Sequence, residues 1–217
     1  MRDADVRHAL LRDLDAQFRG DPDTRIVQEM GIWAGSVRID VAVINGRLHG
    51  YELKSAKDTL ERLDDQAALY NQVFDNVTLV TADKHYYKAL KKVPKWWGIS
   101  IAVPRKDGTI SIRVSRKPRA NKAVVPLQVA RLLWKTELLE ILERHQLVRG
   151  VRSGTSEAMA SRLAERLQPS ILREEVRRAI KARVGWLSKA SDLPQAKDGD
   201  LRLCLPTGDD CQRPEAD

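Results

Sequence analysis

The chain has 217 residues, 42% hydrophobic and 31% charged, a composition that suits one globular domain of ordinary size plus a smaller appendage. Lys and Arg number 38 against 30 Asp and Glu, and the net charge of +8 favours a polyanionic partner, nucleic acid ahead of a membrane surface. No apolar run is long enough to span a bilayer and the charged N-terminus lacks a signal-peptide core, so the expected location is cytoplasmic, with no membrane partner.

Residues 3–19 carry Val6, Ala9, Leu10, Leu14 and Phe18 near the helical period, and Gly20-Asp21-Pro22 ends that helix. TRIVQEMGIWAG (24–35) reads as a strand with Glu29 amid apolar residues. VRIDVAVI (37–44) alternates, with Val37, Ile39, Val41 and Val43 on one face and Arg38, Asp40 and Ala42 on the other. Asn45-Gly46 signals a hairpin turn, and LHGYELKS (48–55) is the return strand, whose period of two puts Glu52 and Lys54 on one face. Asp58 then starts a helix through the capping box DTLE, with Leu60, Leu63, Ala67, Tyr70 and Phe74 as its apolar stripe. Gln66 and Tyr70, four apart, share a face of it.

NVTLVTA (76–82) reads as a buried strand and KHYYKALKKV (84–93) as a short basic helix. WWGISIAV (96–103) and TISIRV (109–114) form a second hairpin at the end of the sheet, and SRKPRANK (115–122) is a linker. Helices are expected over 126–146, 156–167 and 170–184. The interleaving predicts an α/β fold, a mixed sheet flanked by helices with a C-terminal helical region. The expected divisions are 1–122, a basic helical domain over 123–190 with 13 Lys and Arg against 7 Asp and Glu, and an acidic, disordered tail over 191–217. Cys204 and Cys211 lie in that tail, seven apart and without partner ligands, and read as inert thiols rather than a zinc site.

Three charges inside apolar strands need compensation, because an unpaired buried charge is costly. The carboxylates of Asp40 and Glu52 are hard oxygen ligands suited to Mg²⁺ or Mn²⁺, the Leu53 carbonyl is placed to add another, and Glu29 to join directly or through water. Such an ion activates water and stabilises charge on a phosphoryl oxygen, and Lys54 beside it neutralises charge developing in the transition state. Asp40, an eleven-residue gap and then Glu52-Leu53-Lys54 resemble the PD-(D/E)XK nuclease superfamily. The order α-β-β-β-α-β, Glu29 upstream and the Gln66-x-x-x-Tyr70 pattern of its exonuclease branch add to the resemblance, which covers roughly residues 20–90. Ile39 stands where the superfamily's eponymous Pro is found.

The resemblance implies a restriction-endonuclease-like core and a Mg²⁺-dependent phosphodiesterase acting on nucleic acid, DNA before RNA. Catalysis would fall to Asp40, Glu52 and Lys54, metal binding to Glu29, Asp40, Glu52 and Leu53, and substrate positioning to Gln66 and Tyr70. Residue by residue there are plainer readings: a cross-strand ion pair for Glu52 and Lys54, a polar rim and a core aromatic for Gln66 and Tyr70. A catalytically inactive nucleic-acid-binding module on the same core and a protein-interaction domain are the rival functions. In the C-terminal part, TELLEILERHQLVRGVRSGTSEAMASRLAERL weakly resembles SAP-type nucleic-acid-binding modules, with Arg149, Arg152 and Arg162 as phosphate contacts. The same helices equally suit a cap on the sheet or a homodimer interface. The four histidines do not cluster, and His85 reads as a surface residue. Trp96-Trp97 read as an anchor of the sheet edge ahead of a base-stacking platform.

The hairpin register decides whether Asp40 and Glu52 belong to one site. A plain two-residue turn at Asn45-Gly46 would set Asp40 opposite Tyr51 and Ile39 opposite Glu52, sending the two acids to opposite faces. A shared site requires one more residue in the connection, or a bulge, between Ile44 and Tyr51.

Overall fold

The computed structural model describes residues 1–32 and 37–183. Six strands form one sheet whose spatial order is their chain order: β1 (Arg25–Ile32), β2 (Val37–Ile44), β3 (Leu48–Lys54), β4 (Asn76–Ala82), β5 (Gly98–Pro104) and β6 (Ile110–Arg116). β2 is antiparallel to both its neighbours, β1 and β3; β3, β4 and β5 run parallel, and β6 returns antiparallel to β5, so the sheet is mixed. Parallel neighbours need crossover connections, supplied here by α2 (Leu63–Tyr70) and α3 (Tyr86–Lys92). Two successive right-handed crossovers stepping in one direction put both helices on the same face, and Tyr70 and Ala89 indeed lie in one buried cluster. The opposite face is covered by α1 (Asp3–Gln17), whose Val6, Leu10 and Leu14 pack with Val41, Val43, Leu53, Val80 and Ala102.

Four further helices follow: α4 (Pro126–Ala130), α5 (Lys135–Arg144), α6 (Ser156–Arg166) and α7 (Pro169–Ala182). Their Leu138, Leu142, Leu163, Leu172 and Ile180 belong to the same buried cluster as Leu63, Tyr70, Leu79 and Ile99, so the basic helices and the sheet share a continuous core. The chain between them is tied down: the Asn121 amide donates to the carbonyls of Asn71 (2.7 Å) and Phe74 (2.9 Å). Among the described residues no helix is long and apolar enough to cross a membrane. The segment 191–217, with Cys204 and Cys211, lies outside the described residues.

Four local expectations are corrected. The helix expected over 126–146 is two helices, because Glu137 accepts the Trp134 N–H (2.7 Å) and binds Arg183 (2.6 Å), which builds a new helix start. Asp58 starts no helix: its carboxylate accepts the Ser55 N–H (2.6 Å), closing the turn after β3, and α2 begins at Leu63. Strict alternation in β2 fails, since Ile39 lies in the cluster with Ala42 and Ile44 and not with Val41 and Val43. Trp97 is fully buried and donates to Asn71 (2.9 Å), as an anchor does, whereas His85 is half-buried instead of exposed.

Asp75 joins the hairpin to α7. Its carboxylate accepts the Leu48 N–H (2.8 Å) and pairs with Arg173 (3.2 Å) and Arg177 (3.7 Å). Asp75→Ala leaves a donor unsatisfied and two arginines facing one another, at an expected cost of about 2–4 kcal/mol. The urea midpoint should fall at unchanged slope; a midpoint equal to the parent's would remove Asp75 from the seam's energetics.

Candidate active site

Three residues, Asn45, Gly46 and Arg47, connect β2 to β3, and Ile44 opposes Leu48. Gly46 adopts φ +56°, a conformation glycine reaches without strain, and the Asn45 N–H closes the turn on the Arg47 carbonyl (3.0 Å). Val43 then faces His49, Ala42 faces Gly50 and Val41 faces Tyr51, so the next positions along the two strands are Asp40 and Glu52. The extra residue that a shared site requires is present, but it does not turn both carboxylates to one face: Asp40 is held by Arg7 of α1 and Glu52 by Tyr70 of α2, and they meet only in the cleft that both line. A Cβ on Gly50 would lie 3.2 Å from Ile39 and Phe74, so this crossing has room only for glycine unless its neighbours give way.

Glu29 and Asp40 face each other across β1 and β2, between the pairs Gln28–Val41 and Met30–Ile39. Val27 and Met30, three residues apart, nonetheless lie in one core cluster, as do Ala42 and Ile39. The pleat therefore changes phase by one residue in both strands at once, and the register survives. Glu29 bears the strain, with φ +51° in a non-glycine residue. Beyond Val41–Tyr51 the β2–β3 ladder stops, and the Leu53 N–H donates instead to Asp40 Oδ2 (2.7 Å).

Arg7 of α1 holds the other side of this pair. Its Nη2 reaches Asp40 Oδ1 (2.8 Å), and its Nη1 reaches Glu29 Oε1 (2.7 Å) and the Asp40 carbonyl (2.9 Å). The sequence reading missed Arg7. The available signal was a charge in the helical row with Leu11 and Leu14, both buried.

Glu52 is addressed from the other face. Oε1 pairs with Lys54 Nζ (2.8 Å) and Oε2 accepts from the Tyr70 hydroxyl (2.8 Å), which also lies 2.7 Å from the Arg38 carbonyl. Tyr70 is fully buried, and its hydroxyl is placed to orient Glu52. Gln66 Nε2 stands 3.5 Å from the same hydroxyl, at the outer limit of a hydrogen bond, and its Oε1 is buried without a partner. Burial first, and then the charge of Asp40, push Glu52 up to about 7 against the pull of Lys54 and Tyr70. Burial likewise raises Asp40 and Glu29, with Arg7 the main opposing influence on both. A protonated Glu52 would satisfy the Tyr70 hydroxyl fully, donating to it while Tyr70 donates to Arg38.

Glu29, Arg38, Asp40, Glu52, Lys54 and Arg62 line one cleft of about 490 Å³. Among the described residues no three His, Cys, Asp or Glu side chains converge as a metal-holding group. Asp3, Asp58 and Asp65 line the cleft as well, and Arg7 holds both Glu29 and one oxygen of Asp40; the pair that the hairpin sets at adjoining positions is Asp40 and Glu52. That set fits Mg²⁺, a hard ion commonly held by one or two carboxylates with water and phosphate completing its shell. Carboxylates raised by burial are also those whose charge an added cation would best compensate.

The proposed phosphate contacts lie elsewhere. Arg149 and Arg162 meet in the α5–α6 region, where Arg162 donates to the Arg149 carbonyl (3.2 Å), and Arg152 pairs with Glu143 (2.6 Å). Part of the helices' positive charge is used internally: buried Glu175 pairs with Arg144 and Arg178, and His145 lies within hydrogen-bond distance of it.

Fold and site together define an α/β protein whose mixed sheet opens, between its second and third strands, into a cleft of paired acids and bases. Residues 1–191 match the family described as Bacteriophage P4 protein cII, and the chain belongs to that family. A curated relative, Protein cII of Enterobacteria phage P4, is 29% identical over 123 residues, spanning 57% of this chain and 46% of the relative, so the match covers just under half of that relative's length. Among solved structures, the SPO1766 protein of unknown function from Silicibacter pomeroyi is similar at 18% identity and a TM-score of 0.45, over 71% of this chain and 96% of that one.

Proposed function

We propose that this chain is a metal-dependent nuclease hydrolysing phosphodiester bonds, DNA foremost, on a PD-(D/E)XK, restriction-endonuclease-like core. One observation carries the reading. A three-residue turn sets the register so that Asp40 and Glu52 line one cleft, with Lys54 bonded to Glu52. Burial raises both acids and the charge of Asp40 adds to the rise at Glu52, a perturbation typical of functional sites.

Asp40 and Glu52 would hold Mg²⁺ or Mn²⁺, with the Leu53 carbonyl as a further oxygen. Bound there, the ion supplies Lewis-acid stabilisation of phosphoryl charge and an activated water. The chain's own residues do the rest. Tyr70 and Lys54 fix the two oxygens of Glu52, and the Leu53 N–H and Arg7 fix those of Asp40. Lys54 neutralises charge on the phosphoryl group as it develops. Arg38 and Arg62 at the cleft hold the flanking backbone, and Arg149, Arg152 and Arg162 add phosphate contacts that carry no sequence choice.

A binding module without catalysis is the second reading, favoured by Arg7, which already neutralises Glu29 and Asp40 without any metal. Incubation with circular single-stranded and linear duplex DNA in Mg²⁺, Mn²⁺ or EDTA separates the two. Cutting that needs the metal and disappears in Asp40→Asn is the expected result. Salt-sensitive DNA binding with no cutting in any metal would sink the nuclease reading and leave the binding module.

A further inference from the structure

We infer that Arg7 is an internal counter-ion that competes with a divalent cation for Asp40 and keeps Glu29 out of the ligand set. This rests on the metal site proposed above and adds to it a residue from outside the hairpin. The guanidinium is committed at both ends of its fork. Nη2 binds Asp40 Oδ1 at 2.8 Å and Asp3 Oδ2 at 3.2 Å, and Nη1 binds Glu29 Oε1 at 2.7 Å and the Asp40 carbonyl at 2.9 Å. The side chain is 13% exposed, and it springs from a helix whose Val6, Ala9 and Leu10 are locked in the core. It is therefore a fixed charge, not a mobile surface arginine.

A planar fork between two carboxylates supplies what a metal would supply, positive charge shared by their oxygens. The strained backbone of Glu29 serves this arrangement, because the left-handed turn of the chain is what accompanies the delivery of its carboxylate to Arg7. A divalent ion taking hold of Asp40 meets this guanidinium next to it. The ion is bound more weakly than two free acids would bind it, and beside Glu52 it finds one acid, Asp40, where the sequence offers two, Glu29 and Asp40. Arg7 thereby sets an open, water-rich coordination shell and a readily exchanged ion, which a phosphodiesterase needs if substrate phosphate is to enter the shell.

Calorimetric titration of the full chain with Mn²⁺ at pH 8 tests this with Arg7→Ala, Arg7→Gln and Arg7→Lys. Loss of the charge should tighten Mn²⁺ binding by about tenfold or more, as removal of one close like charge does for a charged site. Arg7→Lys, which keeps the charge, should return the affinity toward the parent's. Arg7→Gln keeps a hydrogen-bonding group without the charge and stands in for Arg7→Ala if that variant does not fold. A merely structural Arg7 predicts the opposite sign: the acids lose their positioning and Mn²⁺ binds equally or less tightly, which would overturn the inference while the parent still binds. If neither parent nor variants bind Mn²⁺, the metal site itself falls and the inference with it.

Discussion

Lys54→Ala is expected to slow metal-dependent cleavage by about a hundredfold or more, the usual cost of removing one preorganised charge from a transition state. Lys54 is 6% exposed and its ammonium lies 2.8 Å from Glu52. The substitution therefore does two things. It removes a positive charge from the phosphoryl group's path, and it removes a group that pulls Glu52 down. At neutral pH the second effect would also weaken metal binding, because a larger fraction of Glu52 carries a proton. Assay at pH 8.5, above the parent's Glu52 value of about 7, reduces the second effect and exposes the first. There Lys54→Ala should bind Mn²⁺ nearly as the parent does and still cut slowly. Cutting at the parental rate would strip Lys54 of its role.

Mn²⁺ affinity should itself fall as pH falls, by about tenfold per unit below pH 7, since one carboxyl must lose its proton before the ion can bind. The group is Glu52, raised by burial and by Asp40 from 4.5 to about 7. The sign for stability follows. Between pH 4.5 and 7 the folded chain binds a proton that the unfolded chain has lost. The stability this group contributes is full below 4.5 and lost as pH rises through 7. The ion reverses that loss, so the rise in Tm on adding Mn²⁺ should be large at pH 8 and absent at pH 5. Calorimetry from pH 5.5 to 8.5 gives the affinity curve. A flat curve would take Glu52 out of the ligand set.

The strands were legible because their signals are local. Valine and isoleucine runs bounded by Asn45-Gly46 or Pro104 through Gly108 identify β2, β5 and β6 whatever packs on them, and β3 follows as the return strand of the first turn. The three-residue turn was legible for a different reason: a site shared by Asp40 and Glu52 would require the extra residue, although Asn45-Gly46 by itself suggested a shorter turn. What stayed hidden depends on contacts distant in sequence. Asp58 has the form of a helix cap, but a backbone N–H three residues earlier was the nearer donor. The break near Trp134 is set by Arg183, almost fifty residues away. The phase change at Glu29 and Asp40 leaves no trace in either strand alone, because a pattern of Val, Ile and Met reads the same on both sides of it. Arg7 was hidden for the same reason, its partners lying on strands that its own helix only meets after folding.

The two acids of the cleft are gripped from opposite layers, Asp40 by the helix beneath the sheet and Glu52 by the helix above it. The sheet is thus the jaw of a calliper whose two arms are separate hydrophobic layers. Swelling or shrinking either layer, with a larger residue at Ala9 or a smaller one at Leu63, alters how far apart the carboxylates are held without touching them. Evolution under selection for thermal robustness alone would drift through such packing changes freely. Here each one would also move the two carboxylates relative to one another, which ties the packing of the two layers together.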